Sequence, residues 1–302
     1  MERLVARPVS EEALDLGESC RWDETTQRLN WVDVFTGRLF EAEYDGSALV
    51  NVVERSVDGV LTAVAPLSDR SGWVIAANQG IALLSRTGEI TPLAEPEAGS
   101  GGAVRMNDAA CDPAGRFWAG SMAFDATLGA GSLYRYDLDG TCSQVLREVT
   151  ISNGIGWSRD GQRMYHVDSG VGTVTSYEYD VTSGSLSGGK AFLVFGTEHG
   201  VPDGLCMDSE DHLWVAIWGA GEVRRYSPDG RLVCLVEVAA RQPSSCALGG
   251  ADGRQLFITT ARNGLDADIL DGQPDSGRLF CVEVDVPGVV LHPFRGSTGR
   301  AR

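Results

Sequence analysis

The sequence predicts an all-β protein, a six-bladed β-propeller with four antiparallel strands in each blade. Glycine supplies 38 of the 302 residues, well above the ~7% of an average protein, and there are none of the Lys and Glu runs typical of long helices. A turn followed by an apolar strand recurs at steps of 43 to 49 residues. Polar residues recur at one position of these repeats. Together, these three observations favour many short strands arranged in equivalent units.

The repeat consists of a turn rich in Asp, Gly and Ser, followed by a strand that opens on an apolar residue. The opening residues are spaced by 44, 44, 47, 49 and 43 positions. They are Leu29, Trp73, Phe117, Met164, Leu213 and Leu256. A period in the forties made of strands and turns is typical of propeller blades.

Further strands with alternating aromatic residues follow within each repeat, as in residues 133–136 before Asp139-Gly140. Alternation of period two that ends at Asp-Gly predicts antiparallel hairpins. A single four-stranded sheet cannot cover both its faces, whereas six sheets around one axis bury one another. We therefore predict one domain over residues 1–302. Its strand aromatics are expected to pack between blades, while Trp218, before Gly219, is a candidate wall of a pocket. The core aromatics in question are Trp118, Trp157 and Trp214.

A closed ring requires that the last blade be tied to the first. Residues 3–8 and 289–294 are predicted to be strands that complete one shared sheet. The tail, residues 296–302, is predicted to fray at the end of the chain.

The charge balance excludes several classes of partner. The 25 basic and 42 acidic residues give a net charge of −17, which repels phosphate backbones and anionic membrane surfaces. We expect neither a nucleic-acid nor a membrane partner. The chain starts with no apolar stretch of signal-peptide length, and no apolar run approaches the ~20 residues of a membrane span, so a cytoplasmic location is expected. The seven cysteines contain no CxxC pair and are interpreted as small buried apolar residues.

The strand before each turn should be the innermost strand of its blade, which lines the central channel. One position, four residues before the apolar anchor of this strand, is mostly polar. Its occupants are Glu18, Ala63, Asn107, Asn153, Asp203 and Ser244. Because the repeats are related by rotation, equivalent positions converge on the axis. Two carboxylates and two carboxamides are therefore predicted to face one small space.

Two carboxylates in a narrow channel repel each other unless a cation or a proton lies between them. Glu18, Asn153 and Asp203 all offer oxygen ligands, which predicts one divalent metal ion. Oxygen ligands favour Ca²⁺, Mg²⁺ or Mn²⁺, and Zn²⁺ and iron stay open. The alternative is that Asn153-Gly154 and Asp203-Gly204 are ordinary turn dipeptides. Their register with Glu18 favours the metal site.

Several motifs resemble those of the SMP-30/gluconolactonase/regucalcin family. They are Leu16-Gly17-Glu18-Ser19, Arg105-Met106-Asn107-Asp108, and residues 112–122, 151–158, 201–205 and 258–265. Together they cover most of the chain in the family's order and spacing. The resemblance implies a six-bladed propeller with one metal ion at its axis.

The resemblance also implies roles for single residues. Glu18, Asn153 and Asp203 match the family's metal ligands. Arg105 and Asn107 match residues that hold the substrate or the metal-bound water. At Phe124 and Asp125 the sequence departs from sugar-lactonase members, which have a polar substrate contact in this region. The departure concerns the substrate and not the metal.

The implied reaction is the hydrolysis of a small sugar lactone, as in a gluconolactonase, through a metal-polarised carbonyl and a metal-activated water. Asp203 is the predicted general base. Arg105 and Asn107 are predicted to donate hydrogen bonds to ring hydroxyls or to the developing oxyanion. A surface salt bridge is the competing interpretation of Arg105.

Three alternatives belong to other functional classes. One is a calcium-binding regulatory propeller, and another is a pathway enzyme of the same fold that acts on a non-sugar metabolite. A protein-interaction propeller is disfavoured, because it has no need of Glu18, Asn153 and Asp203 in register. The chain also lacks a G-x-S-x-G motif, which argues against a serine hydrolase. A small lactone is the expected partner of a monomer or weak homo-oligomer.

Overall fold

Six β-sheets around a central channel make up the computed structural model of the protein, which describes residues 1–196, 198 and 200–296. Each strand-opening residue of the predicted repeat lies at the first or second position of the second strand of a sheet. The six-bladed propeller is therefore confirmed. The predicted fraying concerns residues 296–302, of which 297–302 lie outside the described residues.

The chain begins with two short strands, β1 (Glu2–Val5) and β2 (Arg7–Pro8). Blade 1 contains β3 (Gly17–Asp23), β4 (Arg28–Asp33), β5 (Arg38–Tyr44) and β6 (Leu49–Ser56). Blade 2 contains β7 (Leu61–Pro66), β8 (Gly72–Ala77), β9 (Gly80–Ser85) and β10 (Ile90–Ala94). Blade 3 contains β11 (Val104–Cys111), β12 (Phe117–Ala123), β13 (Gly131–Tyr136) and β14 (Cys142–Val149).

Blade 4 contains β15 (Ser152–Trp157), β16 (Arg163–Asp168), β17 (Thr173–Asp180) and β18 (Ser185–Val194). Blade 5 contains β19 (Val201–Met207), β20 (Leu213–Trp218), β21 (Glu222–Tyr226) and β22 (Leu232–Glu237). Blade 6 contains β23 (Pro243–Gly249), β24 (Gln255–Thr260) and β25 (Phe280–Glu283). A 3₁₀ turn (Ala98–Ser100) precedes β11, and helix α1 (Ala267–Gly272) precedes β25. None of the helices within the described residues is long and apolar enough to cross a bilayer.

The first strand of each blade lies innermost, and these strands form a closed ring. Each contacts the inner strand of the next blade, and β23 contacts β3. Because the repeats are related by rotation, the inner strands run in the same direction. The channel therefore has an upper end, where these strands begin, and a lower end, where they finish.

Apolar side chains fill the space between consecutive blades in six clusters, one for each interface. Between blades 3 and 4, Trp118 packs edge-on against Trp157 with 6.1 Å between the ring centroids, and both contact Tyr179. Trp214 is also fully buried. The prediction that these aromatics pack between blades is confirmed, and their burial adds to the apolar area that stabilises the ring.

The ring closes differently from the prediction. β1 pairs in parallel with β22 and gives blade 5 a fifth strand, whereas β2 pairs antiparallel with β25 as the outer strand of blade 6. The predicted shared sheet of residues 3–8 and 289–294 is therefore wrong. The N-terminal segment alone completes blade 6, because only three strands of that blade come from the end of the chain.

Residues 289–294 form no strand and instead cross the lower end of the channel. Val289 N donates to Met207 O at 3.2 Å in blade 5, and Phe294 N donates to Pro66 O at 2.9 Å in blade 2. The Phe294 ring is 1% exposed, within the apolar cluster between blades 2 and 3. Burial of this ring stabilises the path across the channel over a path along the edge of a blade.

Candidate metal centre

Each inner strand has a break in its pairing register near its upper end. The breaks fall between Glu18 and Arg21, Leu61 and Ala63, Met106 and Ala109, Asn153 and Ile155, Pro202 and Leu205, and Pro243 and Ser245. A β-bulge leaves residues unpaired and re-aims their side chains out of the regular alternation. The predicted polar column lies in or beside these bulges. Local backbone geometry thus directs it into the channel.

The two carboxamides of the column and the nearby Arg105 guanidinium are joined by hydrogen bonds. Asn107 Nδ2 donates to Asn153 Oδ1 at 2.9 Å and to Ser152 O at 2.8 Å. Arg105 Nη1 donates to Asn107 Oδ1 at 2.6 Å. The structure therefore brings together the residues predicted from blades 3 and 4.

The Asn153 amide is fixed in one orientation. Its Nδ2 donates to Ser169 Oγ at 2.9 Å, and that hydroxyl in turn donates to Pro202 O at 2.6 Å. Because the amide nitrogen is engaged on this side, Oδ1 is left for the channel, where it lies beside Asn107. An amide held in this way presents an oxygen, the atom type that hard cations bind.

Ala63 and Ser244 complete the ring without offering a ligand. The Ser244 hydroxyl donates to Gly17 O and lies 3.0 Å from Thr259 Oγ1. The Ser244 hydroxyl is thus engaged within the protein, and the Ala63 side chain has no polar atom. The ring is therefore polar on the side of blades 1, 3, 4 and 5 only.

The carboxylates of Glu18 and Asp203 interact electrostatically at the upper end of the channel. Burial, followed by the charges of Asp203 and Asp108, raises the pKa of Glu18 well above its usual value. Burial and the Asp108 charge likewise raise the pKa of Asp203. The Arg105 guanidinium opposes both shifts. Two ionised carboxylates in such a position are costly without a cation.

The residues present fit a divalent cation. Asp203 is 5% exposed, and its Oδ1 is buried with no hydrogen-bond partner among the described residues. Such an orphaned oxygen beside Glu18 and the oriented Asn153 amide is what an oxygen-liganded ion requires. No group of three or more His, Cys, Asp and Glu side chains in the described part of the chain has metal-site geometry. The predicted set contains only two such residues, and its third member is an amide.

Asp108 is a site residue that the sequence analysis did not assign. Burial raises its pKa to about 6, and its charge acts on both Glu18 and Asp203. Asn107 and Asp108 both lie inside the bulge of β11. Two consecutive polar residues, close after Arg105 in the inner strand, were the available signal for it.

Arg105 lies at the upper mouth, between two aromatic rings. Its guanidinium carbon lies 5.8 Å from the ring centroid of Phe35 and 5.8 Å from that of Phe124. Arg105 is 6% exposed, whereas Phe35 and Phe124 are 40% and 54% exposed. Burial lowers the pKa of Arg105 to about 10, although Glu18 and Asp203 oppose this shift. The interpretation of Arg105 as a surface salt bridge is therefore wrong.

Trp218, the candidate pocket wall, is partly buried and packs against the apolar cluster between blades 1 and 2. Sequence reasoning noted Phe124 as a departure from the family pattern but missed Phe35, which lies in the loop after β4. No local pattern identifies Phe35, because its approach to Arg105 brings a loop of blade 1 to a strand of blade 3, two segments that are distant in sequence.

Comparisons with known proteins agree with this architecture. The profile described as "SMP-30/Gluconolactonase/LRE-like region" matches residues 16–262. The Bacillus subtilis protein named "Putative sugar lactone lactonase YvrE" is 32% identical over 286 residues, covering 93% of this chain and 96% of its own. Regucalcin of Danio rerio is 32% identical over 301 residues, covering 98% and 100%.

A solved structure extends the similarity to three dimensions. The crystal structure of a calcium-binding protein, regucalcin, from Agrobacterium tumefaciens superposes with a TM-score of 0.91 at 30% identity, covering 97% of this chain and 98% of the other. Both its sequence motifs and its six-bladed architecture thus place this chain in the SMP-30/gluconolactonase/LRE-like family.

Proposed function

We propose that the protein is a divalent-metal-dependent hydrolase that opens a small lactone ring. The observation that carries the proposal is the buried, unpartnered Asp203 Oδ1 beside Glu18 and the oriented Asn153 amide. Relatives that carry the names sugar lactone lactonase and regucalcin support both the reaction class and a metal. Calcium is the first candidate, because the similar Agrobacterium structure is of a calcium-binding protein.

Glu18, Asn153 and Asp203 would hold the ion. When bound, a divalent ion supplies Lewis acidity toward a carbonyl oxygen and makes water more acidic. The protein's own groups hold the substrate and handle the protons. Asp203 Oδ1 has no donor of its own and is the proposed acceptor of the proton that the attacking water loses. As the ring C–O bond breaks, that proton passes to the leaving alkoxide, and the product is a hydroxy acid.

Arg105 and Asn107 are proposed to orient the lactone. The Arg105 guanidinium uses Nη1 for Asn107 Oδ1 and Met106 O, which fixes its plane. Its buried Nε has no partner among the described residues. A positioned donor in a site of low polarity stabilises developing negative charge more strongly than water does.

Metal removal tests the proposal directly. Protein dialysed against a chelator should lose hydrolysis of glucono-δ-lactone and δ-valerolactone, followed by acid release, and regain it with one added divalent ion. Asp203→Asn should lower metal affinity and turnover by about 10²-fold or more. Asp125→Asn changes an exposed carboxylate in the loop beside Phe124 and should retain both. Lactone hydrolysis that survives chelation and Asp203→Asn would sink the proposal.

A second candidate is an enzyme for a non-sugar lactone, and Phe35 and Phe124 favour it. Exposed aromatic rings flanking Arg105 suit an apolar substituent better than a row of ring hydroxyls. For this candidate, kcat/KM should be higher for an alkyl-substituted δ-lactone than for glucono-δ-lactone, and Phe124→Ser should reverse the order. Turnover of glucono-δ-lactone alone would favour the sugar lactonase. Stoichiometric metal without turnover of any lactone would favour the calcium-binding regulatory protein.

A further inference from the structure

A cavity occupies the lower half of the channel, below the candidate metal centre. It has a volume of about 710 Å³ and is lined by none of Glu18, Asn107, Asn153 and Asp203. Four of the seven cysteines line it, one each from blades 1 and 3 and one each from blades 5 and 6. They are Cys20, Cys111, Cys206 and Cys246. Buried thiols behave as small apolar groups, so most of this wall is apolar.

Arg21 lines this cavity and is the feature that the proposed lactonase site does not explain. The side chain is 7% exposed, and its Nε is buried without a hydrogen-bond partner among the described residues. Its Nη2 makes one long contact, 3.4 Å to Ala109 O. Arg21 forms no ion pair within 4.0 Å in the described residues. A buried guanidinium with free donors requires an anion or ordered water.

The groups that face Arg21 do not neutralise it locally. Asp108, above it, interacts with it electrostatically, and the positive charge of Arg21 opposes the rise in the pKa of Asp108. His292, below it, is partly buried, and burial together with the charges of Arg295 and Arg21 lowers the pKa of His292. Asp160 lies on the exposed rim and uses Oδ1 for Ser158 Oγ and Gln162 N. Among the described residues that line the cavity, Arg21 is thus the only one with a buried guanidinium.

The C-terminal segment closes the cavity from below. Residues 288–292 line it, and the segment is anchored on one side by Val289 N to Met207 O and on the other by Phe294 N to Pro66 O. Leu291 is partly buried, whereas Val290 is 62% exposed. A ligand in the cavity would therefore place its charged end near Arg21 and an apolar end against Leu291 and the thiols.

We propose that the lower half of the channel is a second binding site, in which Arg21 binds the carboxylate of a small monocarboxylic acid with an apolar body. A guanidinium pairs with a carboxylate through two parallel N–H···O bonds, and Arg21 has the donors to spare. The apolar lining distinguishes this class of ligand from inorganic phosphate and from polyols. The site does not depend on lactonase activity.

Calorimetric titration with hexanoate tests the proposal, with hexan-1-ol as the probe of the same apolar body without the charge. We expect one hexanoate per chain with a dissociation constant on the order of 1 mM, and binding of hexan-1-ol at least about ten-fold weaker. Arg21→Met should weaken hexanoate binding by about ten-fold or more. Arg159→Met removes a positive charge from the exposed rim of the same cavity and should leave the affinity within about two-fold.

Two further variants keep the test decisive. Leu291→Trp fills the cavity and retains Arg21, so it should abolish hexanoate binding even if Arg21→Met folds poorly. Asp203→Asn alters the upper site and should leave hexanoate affinity unchanged. The proposal is overturned if wild-type protein gives no saturable heat up to about 10 mM hexanoate, if hexan-1-ol binds equally well, or if Asp203→Asn and not Leu291→Trp abolishes binding.

Discussion

The Asn107 carboxamide links the Arg105 guanidinium to the Asn153 carboxamide at the upper end of the channel. Its oxygen accepts from Arg105, and its nitrogen donates to Asn153. These bonds assign the two amide atoms without ambiguity and transmit the position of Asn153 to the guanidinium. A movement of Arg105 would therefore also displace the Asn153 amide. The ligand and base roles of Glu18, Asn153 and Asp203 remain predictions.

The substitution Arg105→Lys tests whether the positive charge of this side chain or the planar shape of its guanidinium matters at the upper mouth of the channel. Lysine keeps the positive charge near Glu18 and Asp203 but loses the planar fork that Phe35 and Phe124 flank. We expect kcat/KM for the preferred lactone to fall about 10²-fold, with metal stoichiometry unchanged. Steady-state kinetics and elemental analysis of the purified variant measure the two effects. Loss of the metal would show that Arg105 supports the ion and not the substrate.

His166 makes stability depend on pH. Its imidazole lies 2.8 Å from Ser152 Oγ, and burial lowers its pKa from 6.5 to about 4. Between these values the unfolded chain binds a proton that the folded protein excludes. The contribution of the neutral His166 imidazole to the free energy of unfolding is therefore fully present above about pH 6.5. It is lost as the pH falls toward 4, which lowers the free energy of unfolding by up to ~3 kcal/mol.

Replacement by glutamine removes this titration. The free energy of unfolding of wild type minus that of His166→Gln should decrease as the pH falls from about 7 to 4.5. Urea unfolding of both proteins at the same metal concentration measures it, because other titrating groups cancel in the difference. A difference that is constant with pH would contradict the assignment.

Buried aspartates stabilise turns at the lower end of the blades, and the same hydrogen-bond arrangement occurs at Asp112 in blade 3 and at Asp208 in blade 5. Asp112 Oδ1 accepts from Arg116 N at 2.9 Å, and its Oδ2 accepts from Trp118 Nε1 at 3.1 Å. Asp208 uses its two oxygens in the same way, for His212 N at 3.1 Å and Trp214 Nε1 at 2.9 Å. Each carboxylate thus ties a turn to the buried aromatic of the strand that follows.

Asp112→Ala should be among the more destabilising single substitutions in the protein. It leaves the Trp118 indole N–H and the Tyr179 hydroxyl without the carboxylate that accepts from them in a buried place. We expect a loss of ~3 kcal/mol or more in the free energy of unfolding. Asp139→Ala removes an exposed turn carboxylate that accepts from Thr141 N and should cost ~1 kcal/mol or less. Chemical denaturation compares them, and similar losses would refute the role of burial.

Strand openings were predictable because each follows a turn with its own signal, and the structure puts all six at the start of second strands. The bulges were not predictable. A register break depends on which partner residues pair across the strand, and this information lies in β4, β8, β12, β16, β20 and β24 and not in the inner strands themselves. Asp108 escaped assignment for that reason.

Ring closure is a property of the whole molecule, and both N-terminal strands take part in it. β2 supplies the outer strand of blade 6, whereas β1 adds a fifth strand to blade 5, and the other blades have four strands each within the described residues. Removing residues 1–6 deletes β1 only and should cost ~1–3 kcal/mol. Removing residues 1–9 deletes both strands, leaves the edge of blade 6 unpaired, and should cost at least twice as much.

Thermal unfolding and size-exclusion chromatography of the two truncated proteins measure this difference. The shorter deletion serves as the control for the longer one, because both shorten the same segment. Equal losses would mean that β2 contributes nothing to closure.

The sequence by itself determined the repeat, the register of Glu18, Asn107, Asn153 and Asp203, and thereby the family. Because the repeats are related by rotation about one axis, residues at the same position of each repeat converge on that axis. Predicting this convergence therefore required no tertiary information. Tertiary structure decided which strand closes the ring, that Phe35 and Phe124 flank Arg105, and that Arg21 is buried without an ion pair among the described residues. These facts depend on contacts between segments distant in sequence, whose energies arise from packing and desolvation that no local pattern records.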